Sequence, residues 1–343
     1  MNIIQVRSLP LKDVIIGFAK SFGTDYSENC GDFRIDLPDT WGKGHIRGIN
    51  FEGGMGILQY SCSFNEDLEI QFVIDEVHPL KYLFCLDGEL KHHFANESIL
   101  HTLDQFQNVI VASEGNNGHI LKFEKAIFTD IYSVEIDRKK FKSKMACEII
   151  LAEPKLQIMF ADDHAKQQFY YKGLYSLVLA MLFQEIKEFA HTGLINKLFL
   201  EGKAYQILAN QLIQYADDDK HESDQNLLRK SEVKSILEAV AIIESNLDSL
   251  GSIRSIAQRV GINGNKIQNG FKSMYGMTVN SYIQKNRLEM AKNLLLNTNY
   301  PIQEIMQKVG WNSKSYFSKI FKETYKSSPS DFRNNHNGHK IDI

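Results

Sequence analysis

The sequence predicts an α+β multidomain chain, β-rich at its amino terminus and all-α at its carboxyl terminus, and three observations carry that expectation. Hydrophobic spacing changes from strand-like alternation to helical steps near Lys166. The stretch DDDKHESDQN, residues 217 to 226, is nearly devoid of apolar side chains and reads as a linker. Beyond it, one pattern is written twice at a spacing of 49 to 50 residues. The expected layout is a β-rich domain at 1–150, a helical hairpin at 151–216, a linker at 217–229 and a helical domain at 230–336. A chain of 343 residues with 43% hydrophobic and 24% charged residues exceeds what one core serves well, so several domains are the natural expectation and wholesale disorder is excluded.

Within the first 150 residues, Tyr82 to Leu86 and Leu90 to Phe94 flank Asp87-Gly88, a type I′ turn signal, and predict a β-hairpin. Asn108 to Ala112 and Ile131 to Ile136 are further strand-like runs, with turn residues at Gly115 to Gly118, so a small barrel or sandwich is expected. Trp41, Phe51, Tyr60, Phe72, Tyr82 and Phe84 suit either its core or the lining of a small-molecule cavity. His45, His78, His92, His93, His101 and His119 lack an HxH-plus-carboxylate arrangement, and His92 and His93 point to opposite faces of a strand, so no metal site and no cofactor are expected. Cys30, Cys62, Cys85 and Cys147 lie far apart, which favours reduced, mostly buried thiols. No catalytic residues are assigned, because GxSxG, HExxH, P-loop, GxGxxG and CxxC patterns are missing. RKKFKSK, residues 138 to 144, reads as the solvated start of a helix.

From Lys166, Phe169, Leu174, Leu177, Val178, Met181, Leu182, Ile186 and Phe189 follow three- and four-residue steps; Gly193 interrupts, and Leu198 to Tyr215 continues the theme. The resulting helical hairpin either packs on its own domain or forms a homodimer interface, and apolar stripes alone do not separate the two. The longest nearly uncharged apolar run, Leu174 to Phe183, is about half a bilayer span, and MNIIQVRSLPLKD has no signal-peptide core, so a cytoplasmic protein without membrane contact is expected.

The duplication sets Ile256-Ala257-Gln258-Arg259-Val260-Gly261 on Ile305-Met306-Gln307-Lys308-Val309-Gly310, and then Phe271-Lys272 and Tyr275 on Phe321-Lys322 and Tyr325. Each copy reads as helix, glycine turn, helix: Ser252 to Val260 and Asn263 to Tyr275, then Pro301 to Val309 and Asn312 to Tyr325. Gly261 and Gly310 suit left-handed helix ends, Asn263 and Asn312 can cap the following helices, and Pro301 suits a first helical position. Ser231 to Leu247 forms one helix before the copies, and Thr278 to Asn297 a rod of about 30 Å between them. Two second helices held at the ends of such a rod can enter successive major grooves of double-stranded DNA, about 34 Å apart. An α-solenoid is the alternative, but two copies separated by a distinct long helix are not three stacked ones.

Charge agrees with this reading: residues 1 to 226 hold 22 Lys and Arg against 33 Asp and Glu, net −11, whereas residues 227 to 343 hold 17 against 9, net +8. On the second helices, Ile267 and Phe271, then Phe317, Ile320 and Phe321, face inward by periodicity. Left outward as DNA-contact candidates are Asn265, Lys266, Gln268, Asn269 and Lys272 in the first copy and Lys314, Ser315, Ser318, Lys319 and Lys322 in the second. Asn and Gln match adenine edges, Ser and Lys reach bases or phosphates, and neither face carries a carboxylate before Glu323.

At these residues the sequence resembles the AraC/XylS family of bacterial transcription regulators over about Glu232 to Asn334. The most specific stretch is Pro301 to Arg333, through Gly310-Trp311, Ser313, Phe317, Phe321-Lys322 and the closing SPSDFR. The resemblance implies a seven-helix domain with two helix-turn-helix motifs, a sensory, often cupin-like, amino-terminal domain bound to a small-molecule effector, and control of promoters by recruiting RNA polymerase, as an activator. IQNGFKSMYGMTVNSYI, residues 267 to 283, resembles a branch that includes siderophore-responsive regulators. Two departures stand out: Lys326 replaces a usual glycine, and Gly270 replaces a usual large apolar residue at a helix-interior cost of about 1 kcal/mol, with loosening of the first reading helix as the expected result. The competing readings are a β-barrel metalloenzyme with a DNA-binding appendage and a scaffold whose helices bind only protein; the basic carboxyl-terminal domain argues against the second.

Overall fold

The computed structural model describes residues 2–217 and 230–337. All but Asp217 of the expected linker therefore lies outside the described residues. The chain divides into two compact units, Met1–Gln225 and Asn226–Ile343.

The first unit runs β1 (Asn2–Gln5), α1 (Leu11–Phe22), β2 (Ser27–Asn29), β3 (Asp32–Asp36), β4 (Gly42–Phe51), β5 (Met55–Phe64), β6 (Leu68–Phe72), β7 (Leu80–Asp87), β8 (Glu89–Phe94), β9 (His101–Asp104), β10 (Gln107–Ala112), β11 (His119–Phe123) and β12 (Thr129–Ile136). It continues with α2 (Arg138–Lys144), α3 (Ala146–Leu151), α4 (Pro154–Ala161), β13 (Phe169–Tyr175), α5 (Leu177–Glu188) and α6 (Gly193–Asp217). One sheet has the order β1-β6-β11-β8-β9 and the other β13-β10-β7-β12-β5-β4-β3-β2. Strand alternation sorts the side chains: Leu83 and Cys85 of β7 join Leu68, Ile70 and Phe72 of β6 and Leu90 and Phe94 of β8 in one shared core. Tyr82 and Phe84 face the other way, where Tyr82 Oη donates to Met159 Sδ at 3.2 Å and Phe84 stacks on Phe183 with ring centroids 5.0 Å apart. Helix α1 completes the core with Leu11, Val14, Ile15, Phe18 and Phe22, all buried at helical spacing, and ends on left-handed Gly23. Each such apolar side chain contributes about 1.5–3 kcal/mol on burial.

Several expectations are corrected here. Asp87-Gly88 makes no hairpin, because β7 pairs with β10 and β12 whereas β8 pairs with β11 and β9; the chain changes sheets at this corner. Glycine is required there because a Cβ at Gly88 would stand 2.3 Å from the Phe128 carbonyl. The helix expected from Lys166 begins only at Leu177, since Phe169–Tyr175 forms a strand on β10. Its aromatic content, Phe169, Tyr170, Tyr171 and Tyr175, is strand chemistry that overrides the apparent helical stripe. Arg138 is buried rather than solvated: its guanidinium donates to the carbonyls of His78, Asp162 and Ser113. The thiols divide evenly, Cys62 and Cys85 buried, Cys30 and Cys147 exposed.

The second unit is helical throughout its described residues: α7 (Lys230–Ser245), α8 (Ile253–Arg259), α9 (Gly264–Tyr275), α10 (Val279–Asn297), α11 (Ile302–Lys308), α12 (Lys314–Tyr325) and α13 (Pro329–Asn337). No helix of the described residues is long and apolar enough to cross a membrane.

Candidate nucleic-acid interface

The two helix-turn-helix motifs, α8–α9 and α11–α12, close their turns with the same hydrogen bonds. The Gly261 N–H reaches the Gln258 carbonyl at 3.2 Å and the Ile262 N–H the Ala257 carbonyl at 3.0 Å; in the second copy Gly310 reaches Gln307 at 2.9 Å and Trp311 reaches Met306 at 2.9 Å. Gly261 and Gly310 are left-handed, with φ of 73° and 80°. The repeated letters of the sequence are therefore repeated backbone geometry. Beneath the turns, Ile256, Val260, Ile267 and Phe271 are buried in the first copy, and Ile305, Val309, Phe317 and Phe321 in the second.

Caps set where the second helix of each motif begins. Asn263 Oδ1 accepts from the Lys266 N–H at 2.8 Å and starts α9. In the second copy the cap is Ser313, whose Oγ accepts from the Tyr316 N–H at 3.3 Å, and not the expected Asn312. Pro301 likewise stands at the cap of α11, one position before the helix it was expected to begin. Lys326, in the place of the family's glycine, is left-handed with φ 60° and still ends α12 through its N–H to the Lys322 carbonyl at 2.9 Å.

Of the candidate contacts, Asn265, Lys266, Asn269 and Lys272 are exposed on α9, and Lys314, Ser315, Lys319 and Lys322 on α12. Gln268 is half-buried, its Oε1 accepting from the Val279 N–H at 3.4 Å, which draws it toward α10; Ser318 is also half-buried. Lys266 pairs with Glu232 of α7, and Lys319 stands 4.0 Å from Glu323. The carboxylate beside the first face thus comes from a neighbouring helix, which sequence position on α9 alone does not reveal. Tyr316, 49% exposed at the amino-terminal end of α12, was missed, although its three-residue step to Lys319 places it on the same face.

Gly270 does not loosen α9. A Cβ there would stand 2.4 Å from Ile236 Cδ1, so the missing side chain is what lets α7 approach. Arg287 of α10 donates through Nε and Nη2 to the Leu247 carbonyl at 3.0 and 2.8 Å, and both groups crowd Gly310. Tyr282 Oη adds a bond to Glu244 at 2.7 Å. These contacts fix α7 against α9 and α10, and the residues just after α7 against the turn of the second motif.

The family described as a helix-turn-helix domain matches residues 256–335, and that described as the regulatory protein PchR N-terminal domain matches residues 43–227, more than half of the chain. The chain belongs to the AraC/XylS family of transcriptional regulators. It is 31% identical over 134 residues to the arabinose operon regulatory protein of Escherichia coli, covering 39% of this chain and 46% of that one. To the xylose operon regulatory protein of the same organism it is 29% identical over 99 residues, 29% of this chain and 25% of that one. The chain therefore spans about half or less of these relatives. Among solved structures, an AraC-type regulator from Chromobacterium violaceum shares 27% identity, with 30% of this chain and 92% of that one covered and a TM-score of 0.29.

The regulator's first unit holds a second polar constellation, inside its two-sheet core. Lys81 and Glu135 are fully buried and paired at 2.6 Å. Burial pushes Glu135 up and Lys81 down, and their contact opposes both shifts. Around them His78, His92 and His119 are buried, with ring centroids of His119 at 5.6 Å from His92 and 6.3 Å from His78. Ser8 Oγ lies 2.6 Å from His78 Nδ1 and Ser113 Oγ 3.2 Å from His119 Nδ1, while Nε2 of both rings and both nitrogens of His92 have no hydrogen-bond partner among the described residues. Burial lowers His78 to about 4 and His92 to about 3, with His119 lower than the usual imidazole range for the same reason. Tyr60 and Phe72 belong to this core; Trp41 only packs against its edge and Phe51 lines an outer cleft. Among the described residues, no group of three or more His, Cys, Asp or Glu is placed to hold a metal ion.

Proposed function

We propose that this chain is a sequence-specific DNA-binding transcriptional regulator that reads two successive major grooves of one duplex with α9 and α12. The supporting observation is the pair of exposed, carboxylate-poor helix faces built on equivalent turns and joined by a single helix, α10. Asn265 and Asn269 are suited to base edges, and Lys272, Lys314, Lys319 and Lys322 to phosphates or guanine. Gln268 and Ser318 serve as positioning or peripheral groups, given their partial burial.

Family membership supports a small-molecule effector for the amino-terminal unit, which we read as cupin-like, and an activator role through RNA polymerase. The buried imidazole nitrogens without partners in the first unit support a polar effector among His78, His92 and His119. Exposed Leu194, Ile195 and Leu198 on α6, 74, 58 and 62% accessible, support a homodimer through this surface. An electrophoretic mobility shift with the DNA upstream of the regulator's own gene tests the central reading: specific binding that survives physiological salt is expected. The double substitution Asn269→Ala, Lys319→Ala is expected to weaken it at least tenfold, about 1.4 kcal/mol or more; unchanged affinity would refute the assignment of these faces.

A further inference from the structure

We propose that Glu232 is a built-in competitor for DNA, holding the Lys266 ammonium in the place a backbone phosphate would take. The inference rests on reading α9 as a DNA-contacting helix. Glu232 and Lys266 form a direct ion pair between α7 and the first turn of α9. The Glu232 side chain is 13% exposed and that of Lys266 52%, so the glutamate is sheltered by its own unit while the lysine side chain remains accessible from solvent. The contact is held in register. Four residues further along each helix, Ile236 fills the space that Gly270 leaves, and the Asn263 cap fixes the backbone of Lys266 itself.

Among the described residues, the second motif has no equivalent restraint. Lys314 and Lys322 are exposed, and the pairing of Lys319 with Glu323 spans 4.0 Å between side chains 70 and 57% exposed, where water and salt screen it. The position of α12 that corresponds to Lys266 is Tyr316, which carries no charge to restrain. The two reading helices are therefore unequal: α12 meets the duplex with open cations, whereas α9 must exchange a carboxylate for a phosphate. Such an exchange lowers affinity for any duplex that α9 contacts, and leaves α9 a clear net gain only where its base contacts are also made. Because α7 is the helix by which the chain enters the second unit, the exchange sits at that unit's entry.

The test is a double-mutant cycle on the full chain, read as fluorescence anisotropy with a duplex selected from a random pool and with an unrelated duplex. Glu232→Gln is expected to tighten binding to the selected duplex by about threefold to tenfold, and to the unrelated duplex by no more than that. Glu232→Ala is expected to act in the same direction, which separates loss of the carboxylate from a defect of one variant. In a Lys266→Gln background neither substitution should change affinity. A Glu232→Gln chain that binds more weakly, or that tightens equally without Lys266, would overturn the proposal. Lys319→Gln keeps the two readings apart: if it weakens binding while Glu232→Gln has no effect, only the competitor role is lost. If the unmodified chain binds neither duplex, the DNA-binding reading and this inference are lost together.

Discussion

Gly270 and Ile236 touch so closely that a Cβ on the glycine would stand 2.4 Å from Ile236 Cδ1 and 2.6 Å from its Cγ1. Ile236 is fully buried and β-branched, so it cannot turn aside without disturbing its neighbours. Helix propensity favours alanine over glycine by about 1 kcal/mol, but overpacking costs about 1–3 kcal/mol, and the second effect is expected to win. Gly270→Ala should therefore lower the denaturant midpoint of the second unit. In an Ile236→Ala background the same change should become neutral or stabilising; a loss of equal size in both backgrounds would contradict the contact.

Lys326 offers the opposite case. It holds φ 60° at the end of α12, where an L-residue with a side chain is strained by about 1–2 kcal/mol and glycine is not. Part of that gain is offset by the greater freedom of glycine in the unfolded chain, about 0.4–1 kcal/mol. Lys326→Gly is expected to stabilise the second unit by about 0.5–1 kcal/mol in thermal unfolding followed by Trp311 fluorescence in a Trp41→Phe chain. A lower Tm would show that the side chain matters more than the backbone.

The buried pair Lys81–Glu135 makes single and double substitutions unequal. Removing one partner leaves a charge in an apolar core and costs about 3–5 kcal/mol, whereas replacing both removes the need for pairing. Lys81→Met and Glu135→Leu should each destabilise the first unit strongly, and the double variant less than either. Urea unfolding of a Trp311→Phe chain, with Trp41 as reporter, would decide it; additive losses would contradict the pairing.

Acid should weaken the same unit. His78, His92 and His119 are held neutral when folded, His78 titrating near 4 and His92 near 3, yet in the unfolded chain they take up protons below about 6.5. Unfolding therefore binds protons between these limits, so the full stability is present above about 6.5 and is lost as pH falls toward 4. The slope reaches about 1.4 kcal/mol per pH unit for each histidine. The Trp41-reported midpoint should fall between pH 7 and 5, and His92→Phe should flatten the fall; a pH-independent midpoint would contradict the burial of these rings.

Much of the second unit was legible in the sequence because its signals are local and doubled: Gly261 and Gly310, Val260 and Val309, Phe271 and Phe321 each vouch for the other. The misreadings came where the deciding partner is distant. Asp87-Gly88 resembles a hairpin turn, but the strands on either side bond to β12 and β11 rather than to each other. Gly270 looks like a helix weakness until Ile236, 34 residues upstream, is seen to fill its place. Periodicity exposed the faces of α9 and α12, yet not that Gln268 turns toward Val279 or that Glu232 reaches Lys266. The choice of Ser313 over Asn312 as cap is a one-residue matter, at the limit of what a helix start signal resolves.

The central claim is that α9 and α12 grip one duplex together, spaced by the rigid length of α10. Affinity for a duplex selected by the full chain, compared with the same duplex carrying five additional base pairs between the two contacted half-sites, tests it most directly. Half a helical turn places the second groove on the opposite side of the DNA, so a weakening of at least tenfold is predicted. Equal affinity for both duplexes would contradict it.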